Sequence, residues 1–247
     1  TYKVTGRTSI SESFTNNGTL CIEESYDERS KGVVKLIINS NEFENKGKIY
    51  NNGWIYNNTS ANITNSSGAT ITNSSRAGIH NGGNIYNRDN ATITNSSGGT
   101  ISNSSGTITN SSGGTINNDG SIINQNTATI NNDGSITNSS GATITNSSGG
   151  TITNNFNLLN TGDINNSSGA TINNNSYMRS KDGIINNNGL ILNNNKHSRL
   201  YICGNYYGNG KIKNYGDVCS INQKQIIPNY ERYENGELSP CRKEQCK

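Results

Sequence analysis

SITNSSGATITNSSGGTITN, residues 135–154, contains no histidine, no cysteine, no carboxylate and no aromatic ring. Its order is nevertheless strict. Each Ile is followed two residues later by an Asn, and each Asn by a Ser-Ser-Gly corner. Thr-Ile-Thr favours an extended strand because β-branched side chains pack well on a pleated surface. Gly permits a positive φ and so favours a corner. Strand side chains alternate, so Ala142, Ile144 and Asn146 face one side, while Thr143 and Thr145 face the other. With Ile inward, Asn is inward too.

The same pair recurs along the chain. Ile71/Asn73, Ile93/Asn95, Ile101/Asn103, Ile108/Asn110, Ile136/Asn138 and Ile152/Asn154 follow it, as does Ile63/Asn65. Anchors lie mostly six or eight residues apart. Short repeats turn through NG or DG, as in INNDGSI, and long ones through NSSGA or NSSGG. SYMRSK (176–181) and the stretch around His197 read as insertions. Each repeat is one short strand plus one corner, which predicts an all-β fold, a β-solenoid whose strands stack at about 4.8 Å. The Ile residues form a thin apolar spine. The Asn residues form ladders whose amides bond along the stack.

Hydrophobic residues make up 29% of the chain. That is too little for an ordinary core, but disorder normally goes with abundant Pro and charge. Here there are 2 Pro and 15% charged residues, so a repeat architecture is the better reading. Two strands per coil is the expected arrangement. It would place Cys203 and Cys219 in neighbouring coils, within disulfide reach. About twenty-four anchors then give about twelve coils and a rod of about 55–60 Å.

The expected organisation is a cap or first coil over 1–40, solenoid repeats over 41–221, and a charged tail over 222–247 that holds both prolines, Cys241 and Cys246. Cys203–Cys219 and Cys241–Cys246 are the natural disulfide pairs, leaving Cys21 single; five thiols in a reducing compartment is the other reading. The net charge of +3 resides toward the ends, which argues against a nucleic-acid groove. No apolar run is long enough for a membrane span.

NKGKIYNNGWIYNN, NATITNSSGGTISNSS and NNDGSITNSSGATI resemble the Asn/Gly/Thr/Ile repeats of cell-surface and virion-surface β-solenoids, found in bacterial adhesin-type passenger domains and in fibre proteins of large DNA viruses. The resemblance covers about residues 40 to 220. It implies an extracellular or particle-surface role and transfers no catalytic residue. Heavy use of Asn, Ile, Lys and Tyr also suits an A+T-rich genome.

No enzyme is expected. Asp119, Asp133 and Asp163 sit in or beside Gly turns rather than as paired carboxylates. His80 and His197 lie far apart, Cys241 and Cys246 lack a second pair, and the calcium-binding repeat pattern is absent, so no metal or other cofactor is expected. Asn65, Asn73, Asn95, Asn103, Asn110, Asn138 and Asn146 each precede Ser-Ser and form glycosylation sequons, but as inward ladder residues they have no room for a glycan. Asn17 and Asn58 lie outside the regular pattern and are better acceptors.

The expected structural set is these seven Asn with Ile71, Ile93, Ile101, Ile144 and Ile152. Trp54, Tyr56, Tyr86, Tyr206 and Tyr207 are the candidate contact aromatics. The leading expectation is a structural component of a fibre, coat or envelope layer that associates with itself or with other surface proteins. The alternatives are an adhesin whose wall binds a glycan or receptor, and an ice-binding protein using outward Thr pairs. Those pairs are Thr70/Thr72, Thr92/Thr94, Thr107/Thr109, Thr143/Thr145 and Thr151/Thr153, interrupted at Gly78/His80, Asn84/Tyr86 and Asp163/Asn165.

Overall fold

The computed structural model describes residues 1–23, 26–27, 32–104, 106–110, 115–118, 121–124, 129–132, 135–220, 230–232 and 237–240. Every regular element among them is a β-strand, most of them four residues long. The chain is a β-solenoid with three faces. The first face starts at Tyr2–Val4, the second at Arg7–Ile10 and the third at Phe14–Asn16, and they hold twelve, ten and eleven described strands. All pairings within the faces are parallel and one coil apart, as in Ile71 on Ile93, Ile101 on Ile122 and Ile108 on Ile130.

Three strands per coil corrects the expected two. Rungs stacked on one another are typically 22 residues apart in sequence and range from 19 to 24 along the repeats. The first rung of the third face is separated by 29, because the short antiparallel pair Tyr26–Asp27 and Gly32–Val33 is spliced into that coil. A column of twelve strands is about 50 Å tall at the usual stacking distance. This nearly matches the expected length because two errors offset each other. The coil holds more strands than expected, and the chain holds more strands than Ile anchors.

Leu158, Met178, Leu200, Tyr206 and Val218 fill the inward place that Ile holds elsewhere. SYMRSK is therefore no insertion. Tyr177–Ser180 is an ordinary strand with Met178 as its anchor and Ser180 on the ladder. The expected tail boundary also shifts in form, since Tyr230–Arg232 joins the third face and Glu237–Pro240 the first.

Three aliphatic rows meet along the axis and form one continuous core, fully screened from water. Beside each row runs a ladder of amides. On the third face ten asparagines form it without a break: Asn16, Asn45, Asn65, Asn87, Asn110, Asn132, Asn154, Asn174, Asn193 and Asn214. Each donates from Nδ2 to the Oδ1 of the next at 2.7–2.9 Å. The second amide hydrogen reaches a backbone carbonyl across the corner, as from Asn154 to Tyr177 O at 2.8 Å. A buried amide that makes its full set of bonds avoids the desolvation penalty that would otherwise exclude it. All described rungs point the same way, so their dipoles add along the rod and each bond polarises the next.

That common direction explains where each ladder starts and stops. A first rung has no amide beneath it to donate to its Oδ1. Asn16 and Asn51 borrow the backbone N–H of Gly18 and Gly53 instead. Asn57 stacks on Ile38 and turns through a wider corner, and its Oδ1 is buried without a partner. At the far end an acceptor is needed. Asn160 donates to Ser180 Oγ at 3.0 Å and Asn187 to the hydroxyl of Tyr206 at 2.9 Å.

Tyr206 thus does two jobs, with its ring in the Ile place and its hydroxyl in the Asn place. Burial pushes its phenol up to about 12, against the smaller opposing effect of Asn187. Tyr206→Phe is expected to lose about 1–2 kcal/mol by stranding the Asn187 amide. The folded-state value is raised, so this residue's pH-linked contribution is complete below about pH 10 and lost as pH climbs toward 12. Urea melts of both proteins at pH 8 and pH 11 check this, the gap between them narrowing at the higher pH.

Candidate functional site: the outer wall

The interior is spent on folding, so any chemistry belongs to the outward positions. Ile71, Ile93, Ile101, Ile144 and Ile152 are buried in the spine, and the seven sequon asparagines are buried in the ladders at 0% exposure. Asn17 is exposed. Asn58 is exposed too, with its amide donating to Asn39 Oδ1 at 2.5 Å. The outward Thr pairs are scattered over the three faces. Thr70/Thr72 stack on Thr92/Thr94 on the first face, Thr107/Thr109 and Thr151/Thr153 lie on the third, and Thr143/Thr145 lies on the second.

Among the described residues no three His, Cys, Asp or Glu side chains gather as metal ligands. Cys203 and Cys219 are both disulfide-bonded and Cys21 is a half-buried free thiol. The two-strand coil from which their proximity was expected is not the coil observed, and counting Ile202 as the anchor before Cys203 also fails. Leu200 is the anchor of that strand and Ile202 occupies the ladder place, stacked between Ser180 and Ser220. Cys241 and Cys246, together with Asp119 and Asp133, lie outside the described residues.

Of the contact aromatics, Tyr206 is buried, which removes it from the wall and corrects that expectation. Tyr207 is 49% exposed, and Tyr86 stacks between Thr64 and Thr109 on the third face. Trp54 and Tyr56 belong to a cluster. They face outward from one strand of the second face, and the next strand brings Gly78 beside Trp54 and His80 beside Tyr56. Gly78 is required there, because a Cβ would lie 2.2 Å from the indole ring. The indole fills that space and stacks on His80 at 4.9 Å and 11°. Tyr56 stacks on the same imidazole at 4.8 Å and 18°, and lies 6.4 Å from the indole at 30°, so the three rings form a triangle. Burial first, and then Lys35, hold the imidazole below its usual range, which favours its neutral form against the two rings.

The preceding coils complete the patch. Arg7 stacks on Lys35 and Lys35 on Trp54 in one outward column, while Ser9, Ile37 and Tyr56 form the other. The Lys35 ammonium lies 5.3 Å from the Tyr56 ring centroid. Asn39 donates to Ser9 Oγ at 2.8 Å, so Asn58, Asn39 and Ser9 form an outer hydrogen-bonded rail along the edge. The recess between rail and cations is open to solvent and floored by Ile37 and Tyr56. His80, Lys35, Arg7 and the rail are absent from the contact residues expected from sequence. The signal that finds them is the three-strand period, which puts Tyr56 over His80.

No protein-family model matches the chain. No curated protein matches it in sequence either. Among solved structures the chain is similar to the one titled "Crystal structure of TibC-catalyzed hyper-glycosylated TibA55-350 fragment", at 16% identity over 96% of this chain and 98% of that one. The TM-score is 0.23, a value at which the likeness carries no argument, and the fold described above rests on the chain's own strand register.

Proposed function

We propose that this protein is a non-catalytic structural rod of a cell or particle surface, built to assemble into a fibre, coat or envelope layer. One observation carries the reading: the interior is organised as ladders of buried, mutually bonded amides beside an aliphatic core. The ten-rung ladder of the third face is the clearest case. Such an interior gives a stiff object whose cost per coil is small and constant. The wall around it carries neutral Thr, Ser and Asn, which suits spacing and packing rather than turnover.

Electron microscopy of the purified protein, with and without reductant, tests this. Filaments or ordered bundles are expected. Discrete rods of about 50 Å at every concentration and in both samples would contradict assembly.

A second reading is favoured by the aromatic and basic patch on the second face. There the wall departs from its neutral pattern, and a rod with such a patch can act as an adhesin that displays a glycan-binding surface.

A further inference from the structure

We infer that the recess bounded by Arg7, Lys35, Tyr56 and the Ser9–Asn39–Asn58 rail binds an acidic sugar residue, a pyranose carrying a carboxylate, at the end of or within a surface glycan. The inference rests on the adhesin reading and names its ligand class.

Three features converge. The first is unmatched positive charge. Arg7 and Lys35 are stacked in adjacent coils, and neither has an ion-pair partner among the described residues. Parallel stacking puts the two long cationic side chains on neighbouring coils with backbones about 4.8 Å apart, so an anion on the wall there is attracted to both. No carboxylate of the described chain lines the recess. An incoming carboxylate would accept from both, with the guanidinium able to make a bidentate contact.

The second is the apolar floor. Ile37 and Tyr56 are half-buried and adjacent, and the Tyr56 ring packs against His80 at 4.8 Å and Trp54 at 6.4 Å. A rigid ring loses little entropy on binding and presents an apolar body to the C–H face of a sugar. The stack explains why Gly78 interrupts the Thr pattern: its missing side chain lets the indole lie down and brace the other two rings.

The third is the rail. Ser9, Asn39 and Asn58 present hydroxyl and amide groups that both donate and accept, as the hydroxyls of a sugar do. Their mutual bonds hold them in place. Cations on one side, a rail on the other and a ring beneath match the three parts of an acidic pyranose. A bare anion would use only the first, and a neutral sugar only the other two.

Titration calorimetry on the full chain tests the assignment, with oligogalacturonate and sialyllactose as acidic probes, lactose as the neutral probe and sodium sulfate as the bare anion. Arg7→Gln/Lys35→Gln and Tyr56→Ala are the variants, each checked by circular dichroism for retained fold, and Tyr56→Phe keeps the ring should Tyr56→Ala unfold. At least one acidic probe is expected to bind, at least tenfold more tightly than lactose. The double variant is expected to lose at least tenfold, Tyr56→Ala to lose binding, and Tyr56→Phe to keep it. Equal binding of lactose, or no loss in the double variant, would overturn the acidic-sugar assignment and leave an adhesin with another site. Competition by sulfate as strong as that by galacturonate would reduce the recess to an anion site and also overturn it. No heat with any saccharide would overturn this inference and the adhesin reading together, leaving the structural rod untouched.

Discussion

Asn154→Asp is expected to destabilise the rod by about 3–5 kcal/mol at pH 7, although it exchanges a single NH2 for an oxygen. Asn154 is fully buried. Its Oδ1 accepts from Asn132 at 2.8 Å, and its amide donates to Asn174 Oδ1 at 2.9 Å and to Tyr177 O at 2.8 Å. A carboxylate can still accept from below. It cannot donate above, so two acceptors lose their partner and a charge is buried with no cation beside it. The site answers by raising the acid's pKa above the unfolded value of about 3.9. The variant's folded state then holds a proton that its unfolded state has lost. Its stability is best below about pH 4 and falls by about 1.4 kcal/mol per pH unit as pH rises toward the folded-state value. Guanidinium melts at pH 3, 5 and 7 check this. A deficit that grows with pH supports the ladder account, whereas a small deficit equal at all three values would mean that the amide hydrogens contribute little.

Gly183→Ala is expected to cost about 3 kcal/mol or more, while Gly18→Ala stays within about 0.5 kcal/mol of the parent. The two glycines look alike in sequence, each two or three residues past a ladder position. In the structure they differ. A Cβ on Gly183 would lie 2.4 Å from the carbonyl oxygen of Gly162, one coil below, and 2.6 Å from the Asn160 amide. Both contacts are with atoms that cannot yield, since that amide donates to that same carbonyl at 3.0 Å. Tight corners stack backbone on backbone, and only hydrogen fits between them. Gly18 belongs to the first coil, and a Cβ there would meet nothing within 4 Å. Comparing thermal midpoints of the two variants isolates the corner stacking from the general effect of adding a methyl group. Similar midpoints would show that coils separate easily at their corners.

These two sites mark what the sequence could and could not reveal. The inward register was legible because it follows from period two alone. Ile144 and Asn146 must share a face whatever the coil does, and both are buried. The number of faces was not legible. Corners of two or four residues give spacings of six or eight for a coil of any number of sides, and the turning angle is set by backbone torsions at the corner, such as the positive φ of Ser67 and Gly68. The anchors Leu158, Met178, Leu200 and Tyr206 were hidden for another reason. What the core demands is volume rather than Ile, and a search keyed on Ile passes over them. The wall patch was invisible for as long as the period was. Tyr56 and His80 are 24 residues apart, a distance that means contact only once three strands make a coil. Trp54 and Tyr56 could be singled out as aromatic and outward, but the cations and the rail that give them a specific ligand could not.

The three-sided parallel stack is the claim on which all else depends, and a cysteine pair tests it most directly. Thr70 and Thr92 face outward and stack on each other in adjacent coils of the first face. Their backbone separation of about 4.8 Å falls within the range a disulfide bridges. In a Cys21→Ser background, Thr70→Cys/Thr92→Cys should oxidise readily within one chain, with the linkage mapped by mass spectrometry. His80→Cys/Thr94→Cys, each one residue past an anchor and two strands apart, would stack in a coil of two strands and should not. A bond in the first variant alone is the result this architecture requires. A bond in the second and none in the first would contradict it and return the chain to a two-sided coil.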